Sequence, residues 1–271
     1  MSGVLFAGTA RLWRIPAIWW PLGWGIYAGS VGWLVIVIGQ QVDLQSLMAQ
    51  FPQAILQAFG IESVAGVADR RLLTIYYLAS EVFGSAPIVA AIFAMFVAPG
   101  LVGREVERGT MDTLLARPIG RRTFVWTRFV FFALVCLALG ATTFIASALL
   151  IGLVGGYAPP WGALALTSLL FALDALAFGS IGLAVAAWRL STGAGTVAIA
   201  MTLALMFGVN VGRSATSVLD GPSKLDLYTY WRPVEMLVRE RYDAGGFILA
   251  IVATALFSLF AAEIFQRRDL T

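Results

Sequence analysis

The residues best able to do chemistry are charged and lie close together. Gly103–Arg128 holds six of the eighteen basic residues and three of the fifteen acidic ones. Glu105, Arg108 and Asp112 stand at i, i+3 and i+7, so a helix carries them as one polar stripe, and Glu105–Arg108 and Arg108–Asp112 are attractive spacings. Glu107 adds a fourth charge beside them. After Gly109, Thr110 is suited to cap a short helix over 111–117. Asp112 lies in its first turn and Arg117 in its last, as the helix dipole favours. Pro118 stops that helix and Gly120 releases the chain into a turn. Met111, Leu114 and Leu115 share one face and make an apolar knob. Such a helix is about 10 Å long at about 1.5 Å per residue. It is too short to be stable alone, so it packs either on lipid headgroups or on another protein. Arg121, Arg122 and Arg128 flank the next apolar run and are expected to reach out to lipid phosphates.

Two further ionisable residues, Glu81 and Asp174, sit inside apolar runs. A charge at the bilayer centre costs roughly 2.5–3.5 kcal/mol, so each needs a role. The choices are a contact on a substrate pathway, a proton site, or helix–helix hydrogen bonding. Arg70 or Arg71 is a further candidate partner for Glu81. Other chemistry is excluded by composition. There is no His, hence neither the usual general base nor the usual zinc ligand. Cys136 is the single cysteine and lies in an apolar run, so neither an intrachain disulfide nor a thiolate cluster can form. The single lysine, Lys224, lies in Gly-Pro-Ser-Lys-Leu. A phosphate-binding loop needs Gly-Lys-Ser/Thr. No catalytic or metal-binding residue and no cofactor held by the chain itself are expected.

The elements that must position these residues are membrane helices. The chain is 60% hydrophobic and 12% charged, with mean hydropathy +0.87, whereas a soluble domain is about a quarter charged. An all-α integral membrane protein with a single transmembrane domain follows, with the lipid bilayer as its solvent. Six spans are expected at 16–38, 72–102, 126–152, 161–187, 191–212 and 245–265. Residues 1–15 form an interfacial helix rather than a cleavable signal, and 103–125 form a polar loop between spans two and three. Residues 39–71 and 211–244 are then loops on the other side. Within the first, Leu44, Leu47, Met48, Phe51, Ile55 and Phe59 line one face of an amphipathic helix. In the second, Tyr228, Tyr230 and Trp231 suit the membrane interface. The segments on the side of the termini carry eleven basic residues in 54 positions, against seven in 79 on the other. Termini in the cytosol are therefore expected. The net charge of +3 is loop bias and not a nucleic-acid patch. The fifth span is rich in small residues, including Gly193, Gly195 and Ala198, which suits contact with a second copy.

Residues 107–122, Glu-Arg-Gly-Thr-Met-Asp-Thr-Leu-Leu-Ala-Arg-Pro-Ile-Gly-Arg-Arg, resemble the cytosolic loop of type-two ABC exporter permeases. That family's loop shows an acidic and basic pair, Gly-Thr, a Leu-Leu step, a small residue, Pro and a basic turn. Phe265-Gln266-Arg267-Arg268-Asp269 resembles its C-terminal Phe-x-Arg-Arg-Asp, and Phe51–Gly60 resembles the segment after its first span. The resemblance implies a coupling helix within 104–118, with Met111, Leu114 and Leu115 docking in a cleft on the partner. Glu105, Glu107, Arg108 and Asp112 would form the charged rim around Gly109, Thr110 and Pro118. It also implies a cytosolic P-loop ATPase subunit that carries ATP and Mg, a second permease chain as homodimer or heterodimer, and short re-entrant helices between spans five and six. A multi-pass protein of a prokaryotic-type cell membrane, exporting a hydrophobic or amphiphilic substrate, is the expectation. The alternative is a stand-alone secondary transporter or channel with Glu81 or Asp174 as its ion site.

Overall fold

The structure is a computed structural model, and it describes residues 3–41, 70–110, 120–155, 158–213 and 216–267. Among these the regular structure is entirely helical. In chain order, α1 (Gly3–Leu12) leads directly into α2 (Arg14–Gln41). α3 (Arg70–Tyr77) passes through a π-helical turn, Leu78–Val82, to α4 (Ala86–Val97) and α5 (Gly100–Glu107). α6 (Arg121–Gly155), α7 (Trp161–Arg189) and α8 (Thr192–Gly212) are long. A single 3-10 turn, Ser217–Leu219, then precedes the short α9 (Asp220–Ser223), α10 (Leu227–Tyr230) and α11 (Pro233–Val238), and α12 (Ala244–Arg267) closes the chain.

Five helical stretches are long and apolar enough to cross a bilayer: Thr74–Glu107, Arg121–Leu153, Trp161–Arg189, Thr192–Gly212 and Ala244–Arg267. Helices of this kind satisfy most of their backbone polar groups internally, as hydrocarbon requires. α2 adds a 28-residue helix with Pro21 in its interior. The amphipathic pattern expected over residues 44–60 lies outside the described residues.

α7 is the centre of the bundle. It packs most extensively on α12 and also on α4, α6 and α8. The close approaches depend on glycine. A Cβ at Gly179 would lie 2.0 Å from the Phe132 ring, and one at Gly195 would lie 2.4 Å from the Gly182 carbonyl oxygen. Gly195 of α8 therefore serves this chain's own packing, whereas Gly193, Ala200, Ala204 and Gly208 are exposed. The exposed side of α8 also carries large apolar residues: Val197, Met201 and Leu205.

Two apolar clusters mark the two levels of the bundle. The larger includes Phe83, Phe93, Phe132, Phe171 and Trp231. The smaller joins Leu5 of α1, Val102 of α5, Phe124 of α6, Leu183 of α7 and Phe265 of α12. The first and last described helices thus meet at the end of the bundle where Gly103–Arg128 leaves and re-enters it. The segment 217–238 lies at the other end. Trp231 is buried there and donates its indole N–H to the Phe83 carbonyl at 2.7 Å, while Met236 and Leu237 are also buried. The part of this segment from Asp226 on, here called the plug, packs into the bundle, while Val218 and Leu225 before it are exposed.

Candidate functional site

The polar loop starts from α5, and its first residues form a backbone lock. Gly109 has φ +66°, a left-handed conformation that favours glycine. The Gly109 N–H donates to Val106 O at 3.0 Å and the Thr110 N–H to Glu105 O at 3.1 Å. These two bonds are a Schellman motif, which satisfies the last carbonyls of α5. The Thr110 hydroxyl donates to the Glu105 carboxylate at 2.7 Å. Thr110, expected to cap the helix that follows, thus contributes to ending the helix that precedes it.

Two carboxylates then tie this helix end to the starts of two other helices. Glu105 accepts from Arg128 Nη2 of α6 at 3.0 Å, with side chains 15% and 3% exposed. The Arg128 guanidinium also lies over the Phe124 ring, 5.0 Å from its centroid. Arg128 therefore does not reach out to lipid phosphates as its position in the sequence suggests. Its partner is Glu105, which spacing alone paired with Arg108; Arg108 is exposed. Glu107 accepts from the Thr192 N–H at 2.7 Å and from the Thr192 hydroxyl at 3.0 Å. Thr192 is the first residue of α8, so a carboxylate from another helix occupies an N-terminus where the helix dipole and free N–H groups favour an anion. Gly103 makes this approach possible. A Cβ there would lie 2.5 Å from Thr192 N and Oγ1. Arg104 lies over the Trp13 ring at 4.8 Å, which joins the α1–α2 corner to the same point.

Met111, Asp112, Leu114, Leu115 and Pro118 lie outside the described residues. The part of the site the structure shows is the base of the loop: Gly103, Arg104, Glu105, Glu107, Gly109, Thr110, Arg128 and Thr192. Gly103, Trp13 and Thr192 were not singled out from sequence. Gly103 and Thr192 are 89 residues apart and show no local pattern.

The two intramembrane carboxyls are not brought together among the described residues. Glu81 is exposed on the π-helical turn. Asp174 is 1% exposed, near the middle of α7, and its Oδ1 has no hydrogen-bond partner. It faces the plug, not Arg189. The plug's Tyr228 lies near enough to Asp174 and Asp226 to feel both charges. Burial first, then those carboxylates, push its phenol up to about 12.

A family model described as ABC-2 family transporter protein matches residues 30–270. The chain belongs to the ABC-2 transporter family. No curated protein and no solved structure gives a significant match. As an ABC-2 permease it is the multi-pass membrane component of an ABC transporter and not itself the catalytic one. Permeases of this family normally work with a cytosolic ATPase. In this permease the charged lock lies at the base of the Gly103–Arg128 loop.

Proposed function

We propose that this permease is the membrane subunit of an ABC exporter. It moves a hydrophobic or amphiphilic substrate by alternating access, driven by a separate ATPase that docks on residues 104–118. α2 is the first of six spans: 28 residues at about 1.5 Å each exceed a hydrocarbon core of about 30 Å. The termini and the polar loop face the cytosol, in line with the basic bias of the segments on that side. Met111, Leu114 and Leu115 seat in the ATPase, and Asp112 and Arg108 form the rim.

The observation that carries this reading is the paired lock. Glu105 holds the loop to the start of α6, and Glu107 holds it to the start of α8. A push on the loop is thereby delivered to two spans at once through hydrogen-bonded carboxylates rather than through a slack linker. The family match favours this reading over a stand-alone secondary transporter.

The test is purification from the native host. A P-loop ATPase should accompany the wild-type chain and be absent from Leu114→Arg, which places a charge on the docking knob. Association and ATP-driven transport that survive Leu114→Arg would refute the docking assignment.

A further inference from the structure

The lock leaves most of its buried guanidinium unused. Arg128 donates to Glu105 through one nitrogen alone, from Nη2 to Oε1 at 3.0 Å. Its Nε and Nη1 are buried and have no acceptor, and the side chain is 3% exposed. A buried donor without an acceptor carries its full desolvation penalty, and a charged one carries more. The Phe124 ring, 5.0 Å from the guanidinium, offers a face to the cation but no lone pair.

The acceptor that would fit is already in the contact. Nε and Nη2 form one side of the guanidinium, and their parallel N–H bonds match the two oxygens of a carboxylate. Glu105 gives that side one oxygen. Its other oxygen, Oε2, accepts instead from the Thr110 hydroxyl at 2.7 Å. A carboxylate oxygen can accept more than once, so what keeps Oε2 from Nε is the orientation of the carboxyl plane, which Thr110 fixes. Thr110 is itself held at this point. Its hydroxyl and its N–H both reach the Glu105 carbonyl oxygen, each at 3.1 Å. The other described carboxylates at this end of the bundle are committed elsewhere. Glu107 is bound to Thr192 at 2.7 Å and 3.0 Å, and Glu263 to Arg267 at 2.9 Å and 2.6 Å.

We propose that Thr110 and Arg128 are positioning residues of a contact with two states. In the state seen here Thr110 holds Oε2, and Glu105 meets Arg128 end-on. When the docked ATPase draws the loop away, Thr110 releases Oε2, the carboxylate turns, and Arg128 holds both oxygens through Nε and Nη2. The exchange replaces a bond from a neutral hydroxyl with a charge-assisted fork, and a buried donor gains its acceptor. The lock is then firmest in the state that carries the load. The trigger rests on the docking proposed above; the exchange of donors does not.

The test follows the Arg128 Nε–H by nitrogen-15 NMR of the full-length permease in lipid nanodiscs. Its resonance is the arginine signal missing from Arg128→Lys. Should that variant not fold, the signal is identified by the ring-current shift it loses in Phe124→Leu. Thr110→Val keeps the shape of residue 110 and removes its hydroxyl. In the permease alone, Thr110→Val should slow exchange of the Nε–H with water at least about tenfold, as a new charge-assisted bond does. Thr110→Ser should exchange at the wild-type rate. In the wild-type complex, an ATP analogue that is not hydrolysed should slow the same proton to a similar degree. One exchange rate in Thr110→Val and the wild type overturns the proposal. So does an Nε–H already protected in the wild type, which a bound water would produce. Slowing in Thr110→Val with none on binding the analogue overturns the switch. If no ATPase accompanies the wild type, the docking assignment fails instead, and Thr110→Val in the permease alone still decides the exchange.

Discussion

Glu105→Gln removes one charge and almost no volume from the base of the loop. In the wild type Glu105 accepts from Arg128 at 3.0 Å and from Thr110 at 2.7 Å. Arg128 is 3% exposed and has no second carboxylate beside it among the described residues. Removing one partner of a buried pair costs about 3–5 kcal/mol. Glu105 is 15% exposed, which places Glu105→Ala near the lower limit. A Gln oxygen still accepts from Arg128, and a charge-assisted bond is about twice as strong as a neutral one. Glu105→Gln should therefore cost about 2 kcal/mol. Arg128→Met keeps the stem's packing and leaves Glu105 partly open to water, for a loss of about 1–2 kcal/mol. In the double variant both charges are gone, and replacing a whole buried pair is often close to neutral. The expected coupling energy is then above about 1 kcal/mol, whereas independent sites add to within about 0.5 kcal/mol. The assay is reversible unfolding of the four proteins in mixed micelles at neutral pH. A coupling energy below about 0.5 kcal/mol would show that the pair does not act as a unit.

Three further outcomes follow from the same geometry. Gly103→Ala places a Cβ 2.5 Å from Thr192 N; overpacking of this kind costs about 1–3 kcal/mol, and hydrogen exchange at the Thr192 amide should quicken because Glu107 is displaced. Trp231→Phe removes the 2.7 Å bond to the Phe83 carbonyl, a loss of about 1–3 kcal/mol; limited proteolysis should then cut within 217–238 while the polar loop's cleavage is unchanged. Tyr228 has its phenol raised from 10.0 to about 12, so its contribution to stability is present below pH 10 and is lost as pH rises through about 12. In an alkaline absorbance titration, Tyr228→Phe should remove the last tyrosine to ionise.

The helical, membrane-embedded class was legible because composition and the length of apolar runs are properties of the chain itself. The loop 103–128 stood out for the same reason. What failed were pairings. Arg128 looked interfacial because it adjoins an apolar run, but α5 delivers Glu105 to it across a 23-residue gap. Thr110 takes part in ending α5 through its hydroxyl's bond to the Glu105 carboxylate, while the helix it is expected to cap lies outside the described residues. The positive φ of Gly109 marks the end of α5. The π-helical turn at Leu78–Val82 left no trace in the hydrophobic pattern, because every residue there but Ser80 and Glu81 is apolar. Of the small residues of α8, Gly195 packs on Gly182 of α7, while Gly193 and Gly208 stay exposed.

The central claim is that the lock at the base of the loop transmits the ATPase's motion to the spans. Its most direct test is the number of substrate molecules moved per ATP hydrolysed by the reconstituted complex, for the wild type and for the Glu105→Gln/Glu107→Gln double variant. The lock predicts that the ATPase still co-purifies and hydrolyses ATP while transport per ATP falls at least about tenfold, the effect of about 1.4 kcal/mol of lost coupling. An unchanged ratio in a folded, ATPase-bound double variant would contradict it.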